Sequence, residues 1–190
     1  MPTRIPAFVI HFSFLATLIL ALPPCGASAS TPADASRIRA ATQYQAQAFN
    51  FLYGTWKVHN RFLSKRLANS HDWVEFEATD KESPLPGGIG NEEHYRTEHW
   101  KDFVGLGLRL YNPVTRQWSI YWSDNRFSTG YFQNPVKGSF VNGVGVFEGP
   151  DTFNGKPITV RYTWAILGKS KARWEQAFSR DNGKTWETNW

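Results

Sequence analysis

The chain has 190 residues, room for one ordinary domain with a real core and too few for two. Its 21 basic and 16 acidic residues leave a formal net charge of +5, spread without a polybasic run, a balance that argues against nucleic acid as a partner. A single cysteine excludes a disulfide scaffold, so stability has to come from packing.

The chain opens as an export leader. Arg4 precedes an apolar run from Phe8 to Leu22, then come Pro23 and Pro24, and Ala27-Ser28-Ala29 has the small-x-small form cut by signal peptidases. The run is shorter than the roughly 20 residues a spanning helix needs, so cleavage after Ala29 is expected and residues 1–29 are read as a signal peptide. The cut removes Cys25. Lipidation of that cysteine is the alternative, but Pro24 stands before it where a small residue belongs. A secreted or periplasmic protein with no stable membrane insertion is the expectation.

Residues 30–50 form the lead-in. Thr31 can cap a helix, Pro32 suits its first turn, and Asp34 stands three residues after the cap. Ile38, Ala41, Tyr44, Ala48 and Leu52 follow at helical spacing, which predicts one helix from Ala33 to Asn50. Its weakly apolar stripe fits either a helix closing one end of the fold or a loosely held lead-in.

From Gly54 the period changes to two. Trp56, Val58, Asn60 and Phe62 alternate with Lys57, His59, Arg61 and Leu63. Similar runs recur to Trp190, about ten strands in all, with one at Gly130 to Gln133 and a last one at Thr185 to Trp190. Asn142-Gly143, Asn154-Gly155 and Asn182-Gly183 are hairpin signals, so neighbouring strands should be antiparallel. No helix-length segment separates the strands. The reading is all-β: residues 51–190 as a single up-and-down barrel, whose closure removes the sheet edges, preceded by a short helix.

Phe51-Leu52-Tyr53-Gly54-Thr55-Trp56 resembles the G-x-W opening of lipocalins and related calycin families, in which the Trp plugs the barrel floor. Leu108-Arg109-Leu110-Tyr111-Asn112-Pro113, Gln117-Trp118-Ser119-Ile120-Tyr121-Trp122 and Arg173-Trp174-Glu175-Gln176-Ala177-Phe178 are similar to an uncharacterised bacterial lipocalin-like family known only as a domain of unknown function. The resemblance spans Phe49 to Trp190 and implies a fold; it carries no functional residues.

Aromatic side chains dominate the candidate interior: Trp 9, Phe 14 and Tyr 7, with every tryptophan after residue 55. Taking Trp56 as inward and carrying the alternation through each strand places Leu106, Leu108 and Leu110, then Trp118, Ile120 and Trp122, on one apolar face. Val144, Val146, Ile158, Val160, Tyr162 and Trp164 join it, as do Trp174, Gln176, Phe178 and Trp186. The ligand-binding candidates drawn from this face are Trp56, Leu108, Trp118, Trp122, Tyr162, Trp164, Trp174, Gln176 and Trp186, with Gln176 and the indole N–H groups as polar handles.

The opposite face carries Arg109, Tyr121, Arg161, Arg173, Glu175 and Glu187. Were it the inner one, it would suit a carboxylate ligand or acid–base chemistry, but burying unpaired charge costs more than burying Trp and Leu. A solidly packed interior is the third option.

Glu92, His94, Arg96 and Glu98 share one strand face. Two carboxylates and an imidazole suit a metal or acid–base work, yet Arg96 opposes a cation, so a solvated outer face is expected and no metal is assigned. Haem is disfavoured, since the last histidine is His99 and only His59, His94 or His99 could serve. Ser179 to Trp186 matches the Asp-box pattern S-x-D-x-G-x-T-W and is read as a local turn.

A binding protein for a small apolar or aromatic molecule, with no cofactor, is the leading expectation. The alternatives are a cofactor-independent isomerase, cyclase or hydrolase using Tyr121, Arg161, Glu175 and His94, or a packed interaction domain.

Overall fold

The computed structural model describes residues 31–190. The leader over residues 1–29, its cut after Ala29 and Cys25 lie outside the described residues.

Helix α1 (Pro32–Ala46) starts as its capping residues predict. The Asp34 N–H donates to Thr31 Oγ1, and the Thr31 N–H and hydroxyl both donate to Asp34 Oδ2. It ends earlier than the apolar spacing suggested: the chain turns at Gln47 and resumes as a single 3₁₀ turn, Asn50–Leu52. The helix buries no residue, and Ile38 and Tyr44 face water. It is Phe49 and Leu52, beyond the helix, that enter the core.

Ten strands follow: β1 (Gly54–Leu63), β2 (Trp73–Pro84), β3 (Gly90–Thr97), β4 (Phe103–Asn112), β5 (Gln117–Asp124), β6 (Val136–Val141), β7 (Val144–Phe153), β8 (Lys156–Gly168), β9 (Lys171–Ser179) and β10 (Glu187–Thr188). Each pairs antiparallel with the next in one ten-stranded sheet. Val141 pairs with Val144 and Phe153 with Lys156, so Asn142-Gly143 and Asn154-Gly155 are two-residue loops. All four loop residues have positive φ, the conformation that matches the twist of a hairpin. After β10, the Asn189 carbonyl accepts the Leu63 N–H of β1 at 3.0 Å.

Two expected strands differ. Gly130 to Gln133 lies in the β5–β6 loop, where Asp124 Oδ1 accepts the Arg126, Phe127 and Ser128 N–H groups and turns the chain away from the ladder. The last strand shrinks to Glu187–Thr188 because Asp181 takes both the N–H and the hydroxyl of Thr185, at 2.8 and 2.6 Å.

Two strands are turned over relative to the sequence expectation. Leu106, Leu108 and Leu110 of β4 sit on the outer face, while Phe103, Gly105, Gly107 and Arg109 are buried. In β7, Val144 and Val146 are exposed, and Gly145 and Phe147 are buried. The glycines explain the reversal. A Cβ on Gly105 would stand 2.2 Å from Trp122 Cη2, and one on Gly107 2.6 Å from Glu93 Oε2, so the space beside the bare backbone is already filled from neighbouring strands.

Packing divides into two clusters. Phe49, with no exposed surface, meets the rings of Trp118, Phe140, Phe147 and Trp164 at the end of the sheet where β1 begins. Phe76, Ala78, Tyr95 and Phe103 form the second. Gln45, near the end of α1, ties the helix to the first cluster by pairing with both backbone groups of Phe140 and accepting the Trp118 indole N–H on its carbonyl.

Candidate functional site

Strand alternation builds an ionic cluster that periodicity in apolar residues could not reveal. In β2, Phe76, Ala78, Asp80 and Glu82 are buried while Glu75, Glu77, Thr79 and Lys81 face water. The register then sets Trp56, Asp80, Tyr95 and Gly105 in one cross-strand row, Glu82 opposite Glu93 in the next, and Asn91 opposite Arg109 in the third.

Two carboxylates directly opposite one another repel. Arg109 resolves this. Its Nη1 donates to Glu82 Oε2 at 2.6 Å and to Asn91 Oδ1 at 3.1 Å, and its Nη2 donates to Glu93 Oε2. The guanidinium lies over the rings of Phe49 and Trp164, with Cζ 5.2 and 5.4 Å from their centroids. Gly107 leaves room for the Glu93 carboxylate.

One cation does not balance three acids. Asp80, Glu82 and Glu93 bring oxygens within 4.8 Å of one another. Burial, then the charges of Glu93 and Glu82, pushes the Asp80 carboxyl up to about 9; burial raises Glu82 to about 7 against the pull of Arg109. Asp80 is therefore the group that keeps a proton near neutral pH, with the Glu82 and Glu93 carboxylates close beside it. A divalent cation placed among these oxygens would meet the guanidinium already bonded to two of the three carboxylates.

The cluster opens on a cavity of about 1150 Å³. Asp80, Glu93, Tyr95 and Arg109 border it; Trp56, Trp122, Tyr162, Trp164 and Trp174 are among the aromatic residues of its wall. Burial raises the Tyr95 and Tyr162 hydroxyls, so both stay protonated. Toward the loops that follow β1 and β3, Phe62, Trp100 and Trp190 form an aromatic collar, with the Arg66 guanidinium 5.2 Å from the Trp190 centroid.

No protein-family model matches the chain, and comparison with curated proteins gives no match.

Of the nine residues expected at a ligand site, Trp56, Trp122, Tyr162, Trp164, Trp174 and Gln176 border the cavity. Gln176 is tied to Asn189 Oδ1 at 2.9 Å and offers less than a free handle. Trp118 is sealed within the Phe49 cluster. Leu108 is on the outer face of β4. Trp186 is outside too: its indole N–H donates to the Gly183 carbonyl, and Arg161 stacks over its ring at 3.7 Å.

The alternative polar set is not brought together. Arg161 pairs with Glu148, Glu175 with Arg173, and His94 with Glu92, all at least partly in water. Tyr121, beside the inward Trp122, takes the outer parity of β5 and packs on Phe132; it and Glu175 still reach the edge of the cavity, while Arg161 and His94 do not border it. His59 and His94 pair with acids at the surface, and His99 stacks on Phe76 at 4.3 Å.

Sequence reasoning missed Asp80, Glu82, Asn91, Glu93 and Tyr95 and placed Arg109 on the wrong face. A usable signal was present: Phe76, Ala78, Asp80 and Glu82 share one parity in a strand whose other parity is Glu75, Glu77, Thr79 and Lys81.

Proposed function

We propose that the chain is an exported, barrel-shaped binding protein that holds one small molecule with a largely apolar or aromatic body. The observation that carries the reading is the cavity of about 1150 Å³, walled by tryptophans and polar at one side. Its volume is slightly above the roughly 300–1,000 Å³ usual for small-molecule sites, so a drug-sized molecule fits.

Closure of the sheet into a lipocalin-like barrel is part of the proposal. It is supported by the Leu63–Asn189 backbone hydrogen bond, by the Trp190 indole N–H on Asn60 Oδ1 at 3.1 Å, and by the Leu67 N–H on Glu187 Oε1 at 2.6 Å. Three links between β1, the loop after it and the end of the chain leave little edge to solvate. Slow hydrogen exchange at the Leu63 amide, comparable with that of central strands, is the expected result.

Ligand binding is tested with N-phenyl-1-naphthylamine, a neutral probe whose emission rises in apolar surroundings. Saturable one-to-one binding, quenching tryptophan emission, is expected, together with a reproducible bound mass in native mass spectrometry of protein taken from its own host. Absence of both sinks the reading. Export is tested by N-terminal sequencing of the released protein, which should begin at Ser30.

A further inference from the structure

Resting on the reading of the cavity as a ligand site, we propose that its ionic side binds the ammonium group of an organic amine whose apolar body lies against the tryptophans. The first observation is charge: the Asp80, Glu82 and Glu93 carboxylates gather around one guanidinium, which bonds two of them, an arrangement short of a cation. The second is an orphan. The Tyr95 hydroxyl is in a residue only 7 % exposed, has no hydrogen-bond partner among the described residues and borders the same cavity, next to Asp80 in the cross-strand row.

Asp80, 6 % exposed, also borders the cavity, and so does Glu93. An ammonium group placed there donates to the Asp80 and Glu93 carboxylates and to the Tyr95 oxygen, bonds an alkyl chain cannot make. The indole faces of Trp56 and Trp122 add cation–π attraction, strongest where water is excluded. An anion is disfavoured because three carboxylates surround the single guanidinium, whose two Nη groups are held by Glu82, Asn91 and Glu93 and leave only Nε without a partner among the described residues.

The exchange balances in charge. The free site holds a proton on Asp80; the bound site holds the ammonium, and the proton leaves to solvent, one per ligand. The titratable groups facing Asp80 are Glu82 on β2, Glu93 and Tyr95 on β3, and Arg109 on β4, while β1 offers the neutral Trp56 and Asn60. Amine affinity therefore rises with pH from 6 to 8, toward a limit of tenfold per unit.

The test is isothermal titration calorimetry of the protein with octylamine, octanol and octanoate at pH 6, 7 and 8, in phosphate and in MOPS. Octylamine is expected to bind at least tenfold more tightly than octanol at pH 8, with octanoate weakest. The difference in heat between buffers should correspond to release of about one proton per amine. Asp80→Asn, which removes the charge and keeps the shape, should bring the amine-to-alcohol ratio near one and abolish proton release; Tyr95→Phe should lower the ratio; Glu77→Gln, on the exposed face of β2, should keep it. Octanol and octylamine binding equally would overturn the amine proposal and leave the cavity reading standing. Failure of all three ligands and of the neutral naphthylamine probe would overturn both.

Discussion

Arg109 and Glu82 meet at 2.6 Å with 1 % and 0 % of their side chains exposed, and Arg109 reaches Glu93 across the strand with its other nitrogen. Such a pair contributes little as attraction, but removing one partner leaves charge stranded in a low-dielectric interior. Arg109→Met should therefore destabilise the protein by about 3–5 kcal/mol in urea denaturation at pH 8. At pH 5 the loss should shrink, since the abandoned carboxylates can take up protons. An equal loss at both values would mean that the arginine acts by packing alone.

Asp80 and Glu82 set the sign of the pH dependence. Both folded-state pKa values lie above the ordinary 3.8 and 4.5, so the folded protein binds more protons than the unfolded chain between about pH 4 and the raised values near 7 and 9. Stability then falls as pH rises through that window, by at most about 1.4 kcal/mol per pH unit for each group. Urea midpoints at pH 5, 7 and 9 should decrease in that order. Asp80→Asn should flatten the fall above pH 7, where Asp80 alone still titrates.

Gly105→Ala places a methyl group where the Trp122 ring stands, and that ring is held by its indole N–H on Asp124 Oδ2 at 2.9 Å. Overpacking of this kind costs about 1–3 kcal/mol. Thermal denaturation should show the loss, and near-ultraviolet circular dichroism should change in the tryptophan band. An unchanged spectrum would place the ring elsewhere.

Gln45→Ala removes two hydrogen bonds, from Gln45 Nε2 to the Phe140 carbonyl at 2.7 Å and from the Phe140 N–H to Gln45 Oε1 at 3.2 Å. Loss of partners at a partly buried backbone costs about 1–3 kcal/mol. Because the helix buries nothing of its own, faster proteolysis within residues 31–46 should accompany the loss.

Alternation and turn chemistry made the strand order legible in the sequence: Asn142-Gly143 and Asn154-Gly155 mark true hairpins, and Trp56, Trp122, Tyr162 and Trp174 share the inner face as the period of two requires. The inner face of β4 was illegible for a physical reason. Leu106, Leu108 and Leu110 alternate with Gly105, Gly107 and Arg109, and an apolar scale prefers the leucines, yet the inner volume there belongs to Trp122 and Glu93 reaching over from other strands. The ionic cluster stayed hidden because each acid looks solvent-facing by itself. Only the register that joins Glu82, Glu93 and Arg109 shows that their charges offset one another.

Phe49 comes before all ten strands in the chain, yet its ring is seated by Trp118, Phe140, Phe147 and Trp164 of β5 to β8. Contacts so remote along the sequence form late, after the loop entropy between them has been overcome. The plug under Arg109 is thus the first part made and the last part fitted.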